Sequence, residues 1–243
     1  MTHPYRISPE GDAALLVSFG TQVRDDLMAR ARRAAEAIEA ARLPEVTDVV
    51  GGYASVLVAY DPLRADYAQM EAAVAACLAR PEARASRRPR LVTIPVCYGG
   101  DLGPDIQDVA HAAGMDVDEV VRRHAGVTYV VCMVGFLPGF PYLAGLDPRL
   151  ATPRLPEPRT EVPAGAVGIG GAQTGVYPVA SPGGWRLIGR TPARLFDPAA
   201  ERPVAYRAGD RVRFQPIDRA AYERLAPAGA GLRVDAPGDG GCR

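Results

Sequence analysis

Leu15, Val17 and Phe19 alternate with Ala14, Leu16 and Ser18, the period of a strand with one buried face. After Gly20 the period lengthens. Leu27, Ala31, Ala34, Ile38 and Ala41 recur at steps of four and three, which predicts an alanine-rich amphipathic helix ending near Leu43-Pro44. Val46–Val50 and Ala54–Tyr60 then read as two strands of a hairpin turned through Gly51-Gly52. Asp66, with Gln69 three residues on, has the spacing of a capping box. It opens a second helix whose apolar stripe is Tyr67, Met70, Val74 and Cys77. The order βαββα predicts a small ferredoxin-like α/β sandwich over residues 1–86, with the helices on one sheet face.

The stretch Arg80–Arg90 (RPEARASRRPR) carries five arginines and two prolines, offers nothing to bury, and reads as a solvated linker. Beyond it, Leu91–Val96 is an apolar run interrupted by Pro95, as in an edge or initial strand. Two short helices follow, one with the stripe Ile106, Val109, Ala110 and Ala113 and a stop at Gly114. The other carries Val117, Val120 and Val121 after the capping spacing Asp116 to Glu119. Thr128–Val134 is continuous enough to predict a fully buried strand. Leu195-Phe196 and Val212–Phe214 predict late strands. From Gly135 to Gly184, 19 of 50 residues are Gly or Pro, against 49 of 243 in the whole chain. Aromatic and aliphatic residues interleave with them, so this stretch predicts a closed or sandwich-like β body over 87–228, and the final residues 229–243 predict a flexible tail.

Composition narrows the chemistry. The 28 basic residues balance 28 acidic ones, which removes any general electrostatic drive toward nucleic acid or an anionic membrane. All 28 are Arg. With no Lys there is no Schiff base, no P-loop lysine and no biotinyl-lysine on this chain. Cys77, Cys97, Cys132 and Cys242 show no CxxC pairing, and His3, His111 and His124 are far apart, so no metal site is expected. No stretch has the length of a membrane span and the N-terminus lacks a targeting pattern, which predicts a cytoplasmic protein.

Three segments concentrate the candidate chemistry. Gly135–Leu143 presents Phe136, Phe140 and Tyr142 on a backbone stiffened by Pro138 and Pro141, with Gly139 allowing close approach; the rings either wall a pocket or plug a barrel end. Gly168–Gly175 is either an anion-binding nest flanked by Gln173 and Thr174 or a glycine-rich hairpin. Its spacing does not match GxGxxG. Ser181–Arg186 holds the single tryptophan, Trp185, as a pocket or core wall beside Gly183 and Gly184, with no base near Ser181. His124, late in the second short helix, is either a charged helix cap or an acid–base group. Arg159 and Glu161 could bind a carboxylate or pair with each other.

Gly135–Leu143 (GFLPGFPYL), Leu146–Pro153 (LDPRLATP), Pro158–Gly165 (PRTEVPAG), Gly171–Pro178 (GAQTGVYP) and Ser181–Arg190 (SPGGWRLIGR) occur in order, with Ile94–Gly99 and Gly11–Leu15 before them. Together they resemble the successive motifs of the family of B-type 5-oxoprolinase subunits, also named allophanate hydrolase subunit 1 or sporulation-kinase inhibitor. Ala172 departs from the family pattern, which has Asn there. The resemblance implies an α+β chain, a cyclophilin-like β-barrel following the first domain, and a share in an ATP-dependent 5-oxoprolinase that opens 5-oxo-L-proline to L-glutamate. It implies two partners, a second, cyclophilin-like oxoprolinase subunit of the C type and a third protein of the A type. It further implies ATP with Mg shared among them, and no cofactor held tightly by this chain. His124, Arg159 and Gln173 are then candidate catalytic residues; Phe136, Pro138, Gly139, Phe140, Tyr142, Gly171, Thr174, Gly183, Gly184 and Trp185 are candidate substrate-binding residues. Two rival readings remain: a regulatory module inhibiting a sensor histidine kinase, and a carboxyltransferase or allophanate hydrolase subunit.

Overall fold

In the computed structural model, residues 5–22, 24–80, 88–229 and 232–235 are described. His3, Cys242 and most of the expected linker lie outside them. The chain separates into two compact units, Met1–Arg88 and Pro89–Arg243.

In the first unit, β1 (Arg6–Pro9) and β2 (Ala14–Ser18) pair antiparallel, α1 (Asp25–Ala41) follows, and β3 (Val46–Gly51) and β4 (Ser55–Tyr60) form the hairpin before α2 (Tyr67–Ala79). The sheet order is β1-β2-β4-β3, so β4 lies between β2 and β3, antiparallel to both. Leu15, Val17, Val56 and Val58 are fully buried on one sheet face, where the helix stripe Ala31, Ala34 and Ile38 joins them with Met70 and Val74. Both halves of the Asp66–Gln69 capping box form: the Gln69 N–H donates to Asp66 and the Asp66 N–H donates to Gln69. The sequence pattern missed β1, a four-residue strand whose proline and half-exposed side chains carry no clean alternation.

The second unit is built on a closed barrel of seven strands: β5 (Leu91–Tyr98), β6 (Tyr129–Val134), β7 (Pro141–Ala144), β9 (Ala166–Gly170), β10 (Gln173–Val176), β12 (Arg186–Arg190) and β13 (Arg211–Pro216). Neighbours run β12-β9-β10-β7-β6-β13-β5, and β5 returns to β12. A separate ribbon pairs β8 (Arg159–Val162) with β11 (Ser181–Gly183). Helices α3 (Ile106–Ala113) and α4 (Val117–Ala125) lie between β5 and β6, and α5 (Arg219–Leu225) follows β13. Val92, Ile94, Val96, Val131, Leu143, Ile169, Val176, Ile188 and Phe214 fill the barrel, and α3 and α4 add Ile106, Val109 and Val120 to the same core.

Several expectations need correction here. The strand holding Pro95 opens the second unit, one of the two alternatives, but it is interior to the barrel and not an edge. It tolerates proline because on one side β14 (Arg233–Asp235) pairs with Leu91–Thr93 and β12 pairs with Cys97 and Tyr98, so residue 95 falls in the gap between them. The same β14 shows that the expected flexible tail includes a strand. Thr128–Val134 is not wholly buried, since Val130 is 40% exposed. Leu195-Phe196 forms only an isolated bridge, Phe196 to Val204. Arg90, assigned to the solvated linker, instead forms a partly buried ion pair at 2.5 Å with Asp210, which also accepts from the Arg207 N–H.

Candidate functional site

Strand alternation sends β9 and β10 side chains to opposite faces. Val167 and Ile169 of β9 and Thr174 and Val176 of β10 belong to the interior, whereas Gly168, Gly170 and Gly175 meet the rings of the outer face. Those glycines leave a smooth floor. A β-carbon on Gly170 would come within 2.6 Å of the Trp185 ring, one on Gly168 within 3.1 Å of the Trp185 Cβ, and one on Gly175 within 3.0 Å of the Phe140 ring. The glycine-rich segment is therefore a hairpin serving as an aromatic seat. Its backbone is not free to cradle an anion: β9 and β10 are paired on both sides, and the Gly171 N–H donates to the Thr152 carbonyl at 2.8 Å.

On that floor Phe140 packs edge-on against Tyr177 and Trp185, with ring centroids 5.2 and 5.4 Å apart, and tilted against Tyr142 at 4.9 Å. Such pairs contribute about 0.5–1.5 kcal/mol each beyond area burial. Phe140 and Trp185 are buried; Tyr142 is half-buried at the rim. Burial pushes the phenols of Tyr142 and Tyr177 upward in pKa, opposed at both by Arg154 and at Tyr177 more strongly by a hydrogen bond with the Trp185 backbone. Arg154 lies over the Trp185 ring, 5.8 Å from its centroid. Pro138 and Phe136 are exposed beside this cluster. Phe136 is 70% exposed and held at φ 69°, a left-handed conformation costly for an aromatic residue. Gly139 is buried against Phe196 and Val204, and its carbonyl accepts from the Tyr206 hydroxyl.

The β8–β11 ribbon brings Arg159 opposite Gly183. The Arg159 guanidinium donates to Asp105 Oδ1 at 2.6 Å and to the Trp185 carbonyl at 3.5 Å, while Asp105 Oδ2 accepts from the Leu187 N–H at 2.6 Å. The expected Arg159–Glu161 pairing is thus replaced by a partner 54 residues upstream. Gly184 accepts from the Leu155 N–H, and Gly183 lies against the Tyr177 ring. Arg159, Gly183, Gly184, Trp185, Phe140 and Tyr142 therefore do come together, with Gly171 and Gln173 at the hairpin end beside them.

His124 and Thr174 do not join them. His124 is fully buried inside the barrel core, stacked on Phe214 at 4.6 Å. Its Nε2 is 2.9 Å from Thr174 Oγ1 and its Nδ1 is 2.8 Å from the Tyr98 hydroxyl. Because Thr174 donates its own proton to the Gly168 carbonyl at 3.0 Å, it accepts from His124, which fixes the proton on Nε2 and makes Tyr98 the donor to Nδ1. Burial lowers the His124 pKa to about 3, so at neutral pH the ring is an uncharged core bridge, neither a charged cap nor a solvent-reached acid–base group.

Sequence reasoning missed Arg154 and Asp105. Asp105 stands just before α3 and resembles a helix cap, yet its side chain makes no capping bond. Arg154 sits between prolines with no periodic signal. A cavity of about 550 Å³ opens elsewhere in this unit, lined by none of the residues predicted from sequence.

Comparison with known proteins agrees with the motifs. Residues 5–206 match the family described as the carboxyltransferase domain, subdomain C and D. The chain is 39% identical over 232 residues to the B-type 5-oxoprolinase subunit of Bacillus subtilis (strain 168), covering 91% of this chain and 97% of that one. It is 58% identical over 127 residues to the corresponding B-type 5-oxoprolinase subunit of Escherichia coli O157:H7, covering 52% of this chain and 58% of that protein. The crystal structure of TTHA0988 superposes with a TM-score of 0.75 at 38% identity over 84% of this chain, which spans 40% of that chain. Kluyveromyces lactis urea carboxylase shares the fold at a TM-score of 0.75 and 20% identity, covering 95% of this chain and 24% of that one. Motifs in order, a barrel that gathers most of them on one outer face, and a relative matched along nearly its whole length make this chain a member of the family of B-type 5-oxoprolinase subunits.

Proposed function

We propose that this chain is one component of an ATP-dependent 5-oxoprolinase, and that its barrel face around Trp185 meets 5-oxo-L-proline within a complex with partner subunits of the C and A types. The observation that carries the reading is the match, along 97% of that protein's length, to a B-type 5-oxoprolinase subunit. In this account the first unit is a ferredoxin-like sandwich in which β1 takes the outer position beside β2, and the barrel is of the cyclophilin-like kind.

The chemistry of the face suits a small cyclic acid. Half-buried Tyr142 offers apolar surface to the lactam ring with buried Trp185 packed behind it, and exposed Arg154 supplies a cation for its carboxylate. Arg159, anchored by Asp105, stiffens the opposite rim. Tyr142 and Tyr177 keep their protons at neutral pH, so they act as hydrogen-bond donors and not as bases. The part played here is to bind and orient. A lactam carbonyl is a poor electrophile, and ATP-dependent phosphorylation of its oxygen would create the leaving group that bare hydrolysis lacks. The glycine-rich hairpin does not fit a triphosphate, because its N–H groups are taken by strand ladders and Thr152, so no phosphoryl step is routed through this face.

The test is reconstitution. The chain mixed with its two partner subunits, 5-oxo-L-proline and ATP should yield glutamate and ADP. Equal yield with this chain left out would refute the proposal. Among the described residues no helix is long and apolar enough to cross a membrane; a cytoplasmic setting, where ATP is available, belongs to the same proposal.

A further inference from the structure

We propose that the 550 Å³ cavity at the end of β12 is a second small-molecule site, one that holds an oxyanion, a phosphate or a carboxylate, against Arg190, Thr191 and Arg194. Its volume lies within the range of ligand pockets, roughly 300–1,000 Å³. Two arginines and one carboxylate, Asp197, line it, and two rings, Phe196 and Tyr222, form apolar wall. The Ser181–Arg190 motif ends at this cavity, and the face around Trp185 leaves that end unused.

The arginines are differently held. Arg190 donates its Nε to the Ala164 carbonyl at 2.8 Å, which fixes the guanidinium plane; among the described residues its two terminal nitrogens make no hydrogen bond, although Asp101 lies close enough to feel its charge. A guanidinium anchored through one nitrogen with two left over has the geometry for bidentate capture of an oxyanion. Arg194 pairs with Asp197 at 3.3 Å in an exposed bridge of the kind worth little, so an arriving anion can displace that partner at small cost. Thr191 is buried, and its hydroxyl accepts from the Ala193 N–H at 3.1 Å; among the described residues no acceptor takes its proton, leaving it to donate to a ligand. Anchored cation, displaceable cation and committed hydroxyl together define a charge-selective site.

The site can be tested on the full chain alone, with no partner present, so its failure and failure of the oxoprolinase reading are distinguishable. Titration calorimetry would use inorganic phosphate, 5-oxo-L-proline and ATP as three separate probes. At least one should bind, more weakly as salt is raised, with affinity reduced about tenfold in Arg190→Gln and severalfold in Arg194→Gln. Binding of phosphate and ATP without the lactam acid identifies a phosphate site; binding of the lactam acid that persists in Arg154→Gln and weakens in Arg194→Gln identifies a carboxylate site in the cavity, distinct from the face around Trp185. Arg194 is exposed, and its replacement leaves the barrel intact should Arg190→Gln unfold. No binding by any probe at millimolar concentration, or equal affinity in a folded Arg194→Gln and the parent, would overturn the proposal.

Discussion

The Trp185 ring lies so close to Gly170 that a β-carbon there would stand 2.6 Å from it. Gly170→Ala must therefore displace the tryptophan, at a cost of roughly 1–3 kcal/mol for overpacking. Gly171, one residue on, has φ +64° and nothing within 4 Å of an added β-carbon, so Gly171→Ala costs roughly 1–2 kcal/mol of backbone strain without touching the ring. Trp185 is the only tryptophan, so its fluorescence separates the two. The emission should shift to longer wavelength in Gly170→Ala and stay put in Gly171→Ala.

Acid should destabilise the barrel through His124. Its folded pKa, about 3, lies below the unfolded value near 6.5 because burial penalises the charged ring. Above pH 6.5 neither state binds the proton and the contribution is level. Between pH 6.5 and about 3 the unfolded chain takes up a proton that the folded one refuses, so stability falls by up to about 1.4 kcal/mol per pH unit. Urea unfolding at pH 7, 6 and 5 should show the parent losing stability faster than His124→Gln; parallel slopes would show the ring is not held neutral.

Phe136 carries a left-handed backbone that Asn accepts more readily. Its ring is largely in solvent, with Phe140 as its ring neighbour at 6.1 Å. Phe136→Asn should therefore raise thermal stability, by about 0.5–1 kcal/mol once the lost ring contact is set against the relieved strain. Reduced turnover of the reconstituted complex should accompany it. A melting temperature below the parent's would mean that the loop, not the ring's exposure, dictates the residue.

Arg159, a candidate catalytic residue, also has a structural part through its ion pair with Asp105. Arg159→Ala leaves a buried carboxylate with the Leu187 N–H but without its cation, which should cost roughly 1–3 kcal/mol. Chemical denaturation measures this directly, and Asp105→Asn should recover part of the loss in the Arg159→Ala background.

How far the sequence could be read depended on the range of the interactions. Both helices of the first unit follow from local period and a capping box, and the Asp66–Gln69 pair forms as its spacing predicts. The barrel half was legible as turn-rich β structure, yet its closure depends on β5 pairing with β13 in parallel and with β12 antiparallel, contacts between distant residues that no local pattern encodes. The same limit applies to the site. Phe140, Trp185 and Gly183 stand out as residues, whereas Asp105, whose value lies in reaching Arg159 across 54 positions, precedes the Ile106 stripe with no local signal of its own. His124 and Thr174 were misplaced for a related reason: 50 residues separate them, and the parity of β10 alone decides that Thr174 turns inward while Gly175 turns out.

The central claim is that function resides on the outer face around Trp185 and that the His124–Thr174 bridge serves only the core. The most direct measurement compares Arg154→Gln with Thr174→Val in the reconstituted complex, scoring turnover per folded molecule and stability side by side. The account predicts a tenfold or greater loss of kcat/KM with unchanged stability for Arg154→Gln. For Thr174→Val it predicts a loss of roughly 1–3 kcal/mol in stability with turnover preserved. Normal kinetics in Arg154→Gln together with lost turnover in a well-folded Thr174→Val would contradict it.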